Sequence, residues 1–483
     1  MGILWENIGK ALQDFSGSSI EEYGMTCISY MDLYNEIEEM AHRKEDCNLS
    51  GAKCAVLCDR SIEALKLLLF CWRMDMVAVP MSFHYGEDNI RGILESTKPD
   101  IILSDRENID FADIPVYTWE NLPEAVFDIT ADEQLKDIEV LMCTSGTTGK
   151  PKASMLTGFA AAGNAKMIVD YFSLTQDDKI LIGRPLYHCG VLIGEVIVSL
   201  LQGVNIVFYS AKFNPLMIGK ILDKEGITVM CGTPTLLKAV AEFFIHKRKT
   251  CGLKTVAVYG ETLLPEYVKT MKTAFEHTRI FSGYGLTESG TRVTYLDNEL
   301  AGEKSGSVGK VLKGIEIRIV GDNGDCNLFE TGKVVIKTPT VMKGYYNNAA
   351  ETEKKLKDSW LDTGDLGYLD EDGYLYIAGR SDDMIVKSGL NVYPQEVENK
   401  LLKVPEVEEA MVYGELVNDV VQICADVVID ENYQQCDSQY IMNCAAEILP
   451  PHLMPYRLNI VEQLPKNGSG KKLRPRIKRQ MKS

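Results

Sequence analysis

Between about residues 50 and 340 the sequence alternates short β-rich runs with helix-spaced patterns, and this rhythm restricts the fold more than any other feature. AKCAVLC (52–58) leads into SIEALKLLLFCWRM, where Ser61 is placed to cap a helix and Glu63 falls in its first turn. GITVMC (226–231) leads into TPTLLKAVAEFF, with Thr233 as the cap and Pro234 at the first helical position. KTVAVYG (254–260) leads into a helix opened by Pro265 and Glu266. Repeated βα units predict an α/β fold in which parallel-rich sheets are layered with helices.

After about residue 365 the rhythm changes. GYLDEDGYLYIAGR (367–380) reads as a hairpin turning at Asp372-Gly373, and a short helix follows from Pro394. Two β-branched runs, EAMVYGEL and VVQICADVVI, precede a helix at about 438–449 and a basic tail. This is a small α+β unit. A chain of 483 residues is too long for one compact core, so two domains are expected, 1–380 and 381–483.

Charge and cysteine usage narrow the function classes. A net charge of −18 argues against general nucleic-acid or anionic-membrane binding. Residues 466–483 are the exception, with eight Lys/Arg and no acid. Thirteen cysteines occur without a CxxC pair, which predicts free thiols in a reducing cytoplasm rather than a zinc site or disulfide framework. No run of eighteen apolar residues is present, so no integral membrane segment is expected. The N-terminus lacks the basic flank and cleavage site of a secretory signal, and Glu6 stands where a myristoylation motif has Ser or Thr.

MCTSGTTGKPKAS (142–154) carries two glycines, five hydroxyl side chains and two lysines behind the apolar run IEVL. Glycines let a backbone bend tightly enough for amides and hydroxyls to wrap a phosphate. A Walker loop requires GxxxxGK[ST] between a strand and a helix, but here Gly146 and Gly149 are three apart and Pro151 follows Lys150. Read alone, the stretch is either a surface turn or a phosphate loop of another kind.

TSGTTGKPK resembles the phosphate-binding loop of the adenylate-forming superfamily: acyl- and aryl-CoA synthetases, peptide-synthetase adenylation domains and beetle luciferases. The resemblance continues in order through YGLTE (284–288), LDTGDLGYLDEDGYLYIAGRSDDMIVKSGLNVYPQEVE (361–398) and PKNGSGKKLR (465–474), covering nearly the whole chain. It implies a large N-terminal domain and a small mobile C-terminal one. It also implies that a carboxylate is joined to the α-phosphorus of ATP, with release of pyrophosphate and help from Mg²⁺. Two like charges ~4 Å apart repel by about 4 kcal/mol at an effective dielectric near 20, so preorganised cations must offset that cost.

On this resemblance, Thr144, Ser145, Gly146, Thr147, Thr148, Gly149 and Lys152 cradle the β- and γ-phosphates. Tyr284 and Gly285 line the adenine slot on one side, and Gly260, Glu261 and Thr262 on the other. Thr287 contacts the α-phosphate and Glu288 helps hold Mg²⁺. Asp365 accepts from the ribose hydroxyls and Arg380 reaches the nucleotide; the alternative for both is a structural ion pair. Lys471 bridges substrate carboxylate and α-phosphate, as a compact charge on a flexible stem can. Lys472, Arg474 and Arg476 are expected in a solvated tail.

The resemblance further implies rotation of the small domain about Asp382, which brings Ser388, Gly389 and Leu390 to line a pantetheine tunnel. RPLYHCGVLIGE (184–195) is similar to the acyl- and aryl-CoA ligase version of its motif, with His188, Cys189 and Gly190 at the acid pocket together with Gly283. His188 is either a gate or donor or a packed histidine. That stretch holds no aspartate for a substrate ammonium, whereas YGETL (259–263) looks more like the peptide-synthetase form. The expected substrate is therefore a small-molecule carboxylic acid without an α-amino group, fatty or aromatic. The acceptor is coenzyme A or, alternatively, the phosphopantetheine of a separate acyl or peptidyl carrier protein. A catalytically inactive binding relative is a further class, disfavoured by intact Lys152, Glu288, Asp365 and Lys471.

Overall fold

The computed structural model describes residues 1–107, 109–111, 114–122, 129, 132–144, 151–261, 263, 265–297, 304, 306–387, 390–417, 420–433, 435–465 and 474–475. These fall into two compact units, Met1–Ile317 with Ile336–Leu361, and Arg318–Val335 with Asp362–Ser483.

The first unit holds two large sheets. In one, the strands Ser19–Glu22, Asn205–Phe208, Lys179–Ile182, Val229–Gly232, Thr255–Val258 and Arg279–Ser282 lie side by side and parallel. Antiparallel strands flank this parallel set, Cys27–Ser29 at one side and Thr294–Asp297 at the other, where Lys310–Val311 adds outermost. In the second sheet, Val116–Tyr117, Ile101–Ser104, Lys53–Leu57, Val77–Met81 and Ile138–Thr144 are parallel, and Lys152–Thr157 joins antiparallel to the last. Strands covered on both faces are apolar throughout, as in Val77–Met81, where every residue is buried. The helix Pro234–Lys247 begins as expected: Thr233 Oγ1 accepts from Leu236 N and Pro234 occupies the first turn.

One local expectation is corrected. Ser61 is not a cap; the helix Ser61–Arg73 starts on it, with Arg60 at the cap position. Its backbone N donates to Ser210 Oγ at 2.9 Å, and its hydroxyl accepts from the same serine at 3.0 Å, a tertiary pair that replaces the local cap. The sequence also gave no warning of the helix Ile3–Asp14, whose first amides, Ile3 N and Leu4 N, donate to the Glu139 carboxylate at 2.7 and 2.9 Å. That carboxylate satisfies two of the orphan donors of a helix start.

The second unit contains the expected hairpin, in which Asp365–Leu369 pairs antiparallel with Leu375–Arg380 and Gly373 turns at φ +78°. Val407–Val417 and Val420–Ile429 pair antiparallel, Arg457–Ile460 adds in parallel, and the helices Pro394–Leu401 and Ser438–Ile448 contribute to the core. Val397, Leu401, Val412, Ile423, Val427 and Ile441 fill it. No helix among the described residues is long and apolar enough to cross a membrane.

Candidate active site

Four neighbouring parallel strands of the first unit end at the same sheet edge, and the motif residues follow from those ends. Lys179–Ile182 runs on into Arg184–Gly190, Val229–Gly232 into Thr233, Thr255–Val258 into Tyr259–Glu261, and Arg279–Ser282 into Gly283–Glu288. In open α/β sheets the crevice outside the carboxyl ends of the strands is where ligands bind. The ladder continues past the strands, with Tyr259 N donating to Gly232 O and Gly283 N to Val258 O. Gly260 turns at φ +95°, and Glu261 accepts from Thr235 Oγ1 at 3.0 Å. A Cβ on Gly285 would stand 1.7 Å from the Thr291 carbonyl oxygen, so only glycine lets the YGLTE segment pass there. Tyr284 N donates to Thr294 Oγ1, fixing the segment against the antiparallel strand Thr294–Asp297.

The glycine and hydroxyl stretch joins two antiparallel strands, with Thr144 opposite Lys152. The strands on either side of it pair with each other, unlike the strand-to-helix setting of a Walker loop. Ser145, Gly146, Thr147, Thr148 and Gly149 lie outside the described residues, as does Thr262. Lys152 Nζ is 2.5 Å from Glu351 Oε2 and 5.5 Å from the centroid of the Tyr345 ring. Lys354 contacts the other Glu351 oxygen at 2.8 Å, and hydrogen bonds from the two lysines hold that carboxyl down to about 2. The Tyr345 hydroxyl donates to Glu288 Oε1 at 2.7 Å. The lysine beside the loop and the Glu288 carboxylate are thus linked through one tyrosine.

Glu288 fits a magnesium ion carried in with a nucleotide. Mg²⁺ uses one or two carboxylates plus substrate phosphates and retained water. Among the described residues no group of three or more His, Cys, Asp or Glu side chains is arranged as a metal cage.

At the neighbouring strand end, burial, and next the Arg184 charge, push the His188 imidazole down to about 3, so it is neutral at physiological pH. Its ring lies 4.2 Å from that of Tyr187, which packs at 4.0 Å on Tyr85. Cys189 is buried and its thiol is pushed up to about 12 by desolvation. Arg184 forms an ion pair with the buried Glu195. Arg292 is also buried, with its guanidinium stacked 3.5 Å from the Tyr259 centroid and Nη2 donating to the Gly190 carbonyl.

In the second unit Asp365 and Arg380 face each other across the hairpin and form an ion pair at 3.0 Å. Arg380 also donates to the Thr363 carbonyl at 3.3 Å. Asp382 stands in the short turn Ser381–Asp383, directly after this pair. Leu390 is exposed at the start of the strand Leu390–Val392; Ser388, Gly389 and Lys471 lie outside the described residues. The expectation of a solvated Arg474 is overturned. Its Nη2 reaches both Glu398 oxygens at 2.8 Å, and Nη1 reaches Asp383 Oδ2 at 3.0 Å. Glu398 has no solvent exposure, so a buried carboxylate selects the cation.

Tyr345, Glu351, Arg292 and Arg474 were not legible as site residues. Asn348 followed by Glu351 has the spacing of a helix start, and Asn348 Oδ1 indeed accepts from Glu351 N. No sequence signal ties Glu351 to a lysine 199 positions away.

A profile described as AMP-binding enzyme matches residues 18–346, and one described as AMP-binding enzyme C-terminal domain matches residues 396–471. A feruloyl-CoA synthase of Amycolatopsis sp is 28% identical over 470 residues, 95% of this chain and 94% of that protein. An indoleacetate–CoA ligase of Aromatoleum aromaticum is 28% identical over 468 residues, covering 92% and 91%. The O-succinylbenzoate coenzyme A synthetase of Bacillus subtilis, solved with ATP and magnesium ion, superposes with a TM-score of 0.85 at 26% identity, over 97% of this chain and 98% of that one. Two matched segments in the expected order, together with strand-end motifs on a parallel sheet, settle the assignment: this chain belongs to the AMP-binding enzyme family.

Proposed function

We propose that this enzyme is an ATP-dependent acid–thiol ligase whose substrate is an aromatic carboxylic acid. It converts the acid to an acyl-adenylate with release of pyrophosphate, then transfers the acyl group to the thiol of coenzyme A. The observation that carries the reading is the line from Lys152 through Tyr345 to Glu288, which sets a cation for phosphate beside a carboxylate for magnesium. The aromatic class is supported by the feruloyl-CoA synthase and indoleacetate–CoA ligase relatives. The neutral His188 imidazole and the Tyr187 and Tyr85 rings packed beside it also suit an aryl group.

In this reading the loop 144–152 binds the β- and γ-phosphates, and Lys152 neutralises charge there once it exchanges Glu351 for phosphate. Thr287 donates to the α-phosphate. Tyr284, Gly285, Gly260, Glu261 and Thr262 bound the adenine, and Asp365 and Arg380 serve the ribose and nucleotide. Magnesium, when bound at Glu288, supplies charge neutralisation for the leaving pyrophosphate. Lys471 neutralises the reacting carboxylate and the α-phosphate together. We assign residues 1–380 to activation and residues 381–483 to the mobile domain, with Asp382 as the hinge and Ser388, Gly389 and Leu390 lining the thiol path. Neutral His188 closes the acid pocket formed with Cys189, Gly190 and Gly283. Thirteen free cysteines fit a reducing cytoplasm.

An ATP–pyrophosphate exchange screen over aromatic and fatty acids tests the proposal, followed by acyl transfer from the best acid to coenzyme A or to a phosphopantetheinylated carrier protein. Exchange led by an aromatic acid, with coenzyme A as acceptor, is expected. Exchange led by α-amino acids, or transfer to carrier protein alone, would contradict it.

A further inference from the structure

Arg292 is 4% exposed, yet no carboxylate lies at ion-pair distance from it among the described residues. Its Nη1 donates to Thr291 Oγ1 at 3.2 Å and its Nη2 to the Gly190 carbonyl at 3.4 Å, while Nε has no partner. The neighbouring helix is shaped around this side chain. A Cβ on Gly190 would come within 3.1 Å of Nη1, and one on Gly194 within 3.0 Å of Nη2. Gly194 belongs to the π-helical stretch Leu192–Ile197, a rare geometry that recurs at functional sites.

The charge count around it is unbalanced. Glu195, on the same π-helical stretch, is already paired with Arg184 and leaves its Oε2 without a partner. Among the described residues Arg184 thus takes the one carboxylate of this stretch, and Arg292 is left without an ion-pair partner. Stacking on Tyr259 offsets only part of the cost of holding a cation away from water. Packing alone would explain the burial of Arg292 but not two glycines that clear space for it or an unpartnered Nε.

We propose that Arg292 receives a second carboxylate of the acid substrate, so that the enzyme prefers dicarboxylic acids over monocarboxylic ones of the same skeleton. The inference rests on the function proposed above, in which the reacting carboxyl is served by Thr287 and Lys471. The charge at Arg292 is then left for another group.

The test compares pyrophosphate exchange with matched acids: 2-carboxyphenylacetate against phenylacetate, 2-carboxycinnamate against cinnamate, and adipate against its monomethyl ester. We expect a dicarboxylate to lead the panel and to exceed its partner in kcat/KM by roughly tenfold or more. Arg292→Gln should bring that ratio close to one, and Arg292→Lys should retain part of it. A monocarboxylic acid leading the panel with its dicarboxylic partner weaker, or a ratio unchanged in Arg292→Gln, would overturn the inference and leave acid activation standing. If the variants fail to fold, the wild-type ranking decides. No exchange with any acid would remove the proposed function and this inference together, an outcome distinct from charge-blind exchange.

Discussion

Replacing Arg474 by alanine should destabilise the second unit markedly. The guanidinium makes two contacts at 2.8 Å to Glu398 and one at 3.0 Å to Asp383, and only 16% of its side chain is exposed. Glu398 has no exposure, so truncation leaves a carboxylate that water cannot reach. Removing one partner of a buried pair typically costs about 3–5 kcal/mol. Glu398 keeps a 2.7 Å hydrogen bond from Val412 N, and Asp383 is partly solvated, which puts the loss near the lower end, about 3 kcal/mol. For a unit of this size that corresponds to a fall in Tm on the order of 10 °C, read by scanning calorimetry of the full chain. Arg474→Met combined with Glu398→Leu should recover most of the loss, because both charges are then absent. A single variant within about 0.5 kcal/mol of wild type, or a double variant worse than the single, would refute the reasoning.

Glu351→Gln should lower the KM for ATP by up to about fivefold, since phosphate no longer competes with a carboxylate for Lys152 and a partly exposed pair is worth about 1 kcal/mol. Initial rates at saturating acid would measure this, and a rise in KM would contradict the competition. His188 has a folded pKa well below its unfolded value, so the unfolded chain binds the extra proton. Stability is therefore complete above pH ~6.5 and declines by about 1.4 kcal/mol per unit as pH falls towards 3. Urea unfolding of His188→Gln between pH 6.5 and 4.5 should show a shallower decline than wild type; parallel curves would refute the assignment.

What was legible in the sequence is what local chemistry determines. Thr233-Pro234 opened a helix where a cap and a proline belong, and Asp372-Gly373 turned a hairpin because glycine accepts φ +78°. Strand-end motifs converged because a parallel sheet brings successive carboxyl ends to one edge. What escaped was non-local. Lys152–Thr157 reads as a mixed segment until it is seen paired antiparallel with Ile138–Thr144. Glu351 and Arg474 acquire meaning only from partners 199 and 76 positions away. Arg474 in particular sits among other basic residues, and nothing in that composition separates a clamp from a tail.

The claim on which the account turns is that the Lys471 ammonium lets carboxylate oxygen reach phosphorus and has no part in the later transfer to thiol. Lys471→Ala can be assayed in both half-reactions on one preparation, by pyrophosphate exchange and by acyl transfer from supplied acyl-adenylate to coenzyme A. The account predicts exchange reduced roughly 10²–10³-fold or more, with transfer within a few-fold of wild type. Equal losses in both half-reactions would contradict it.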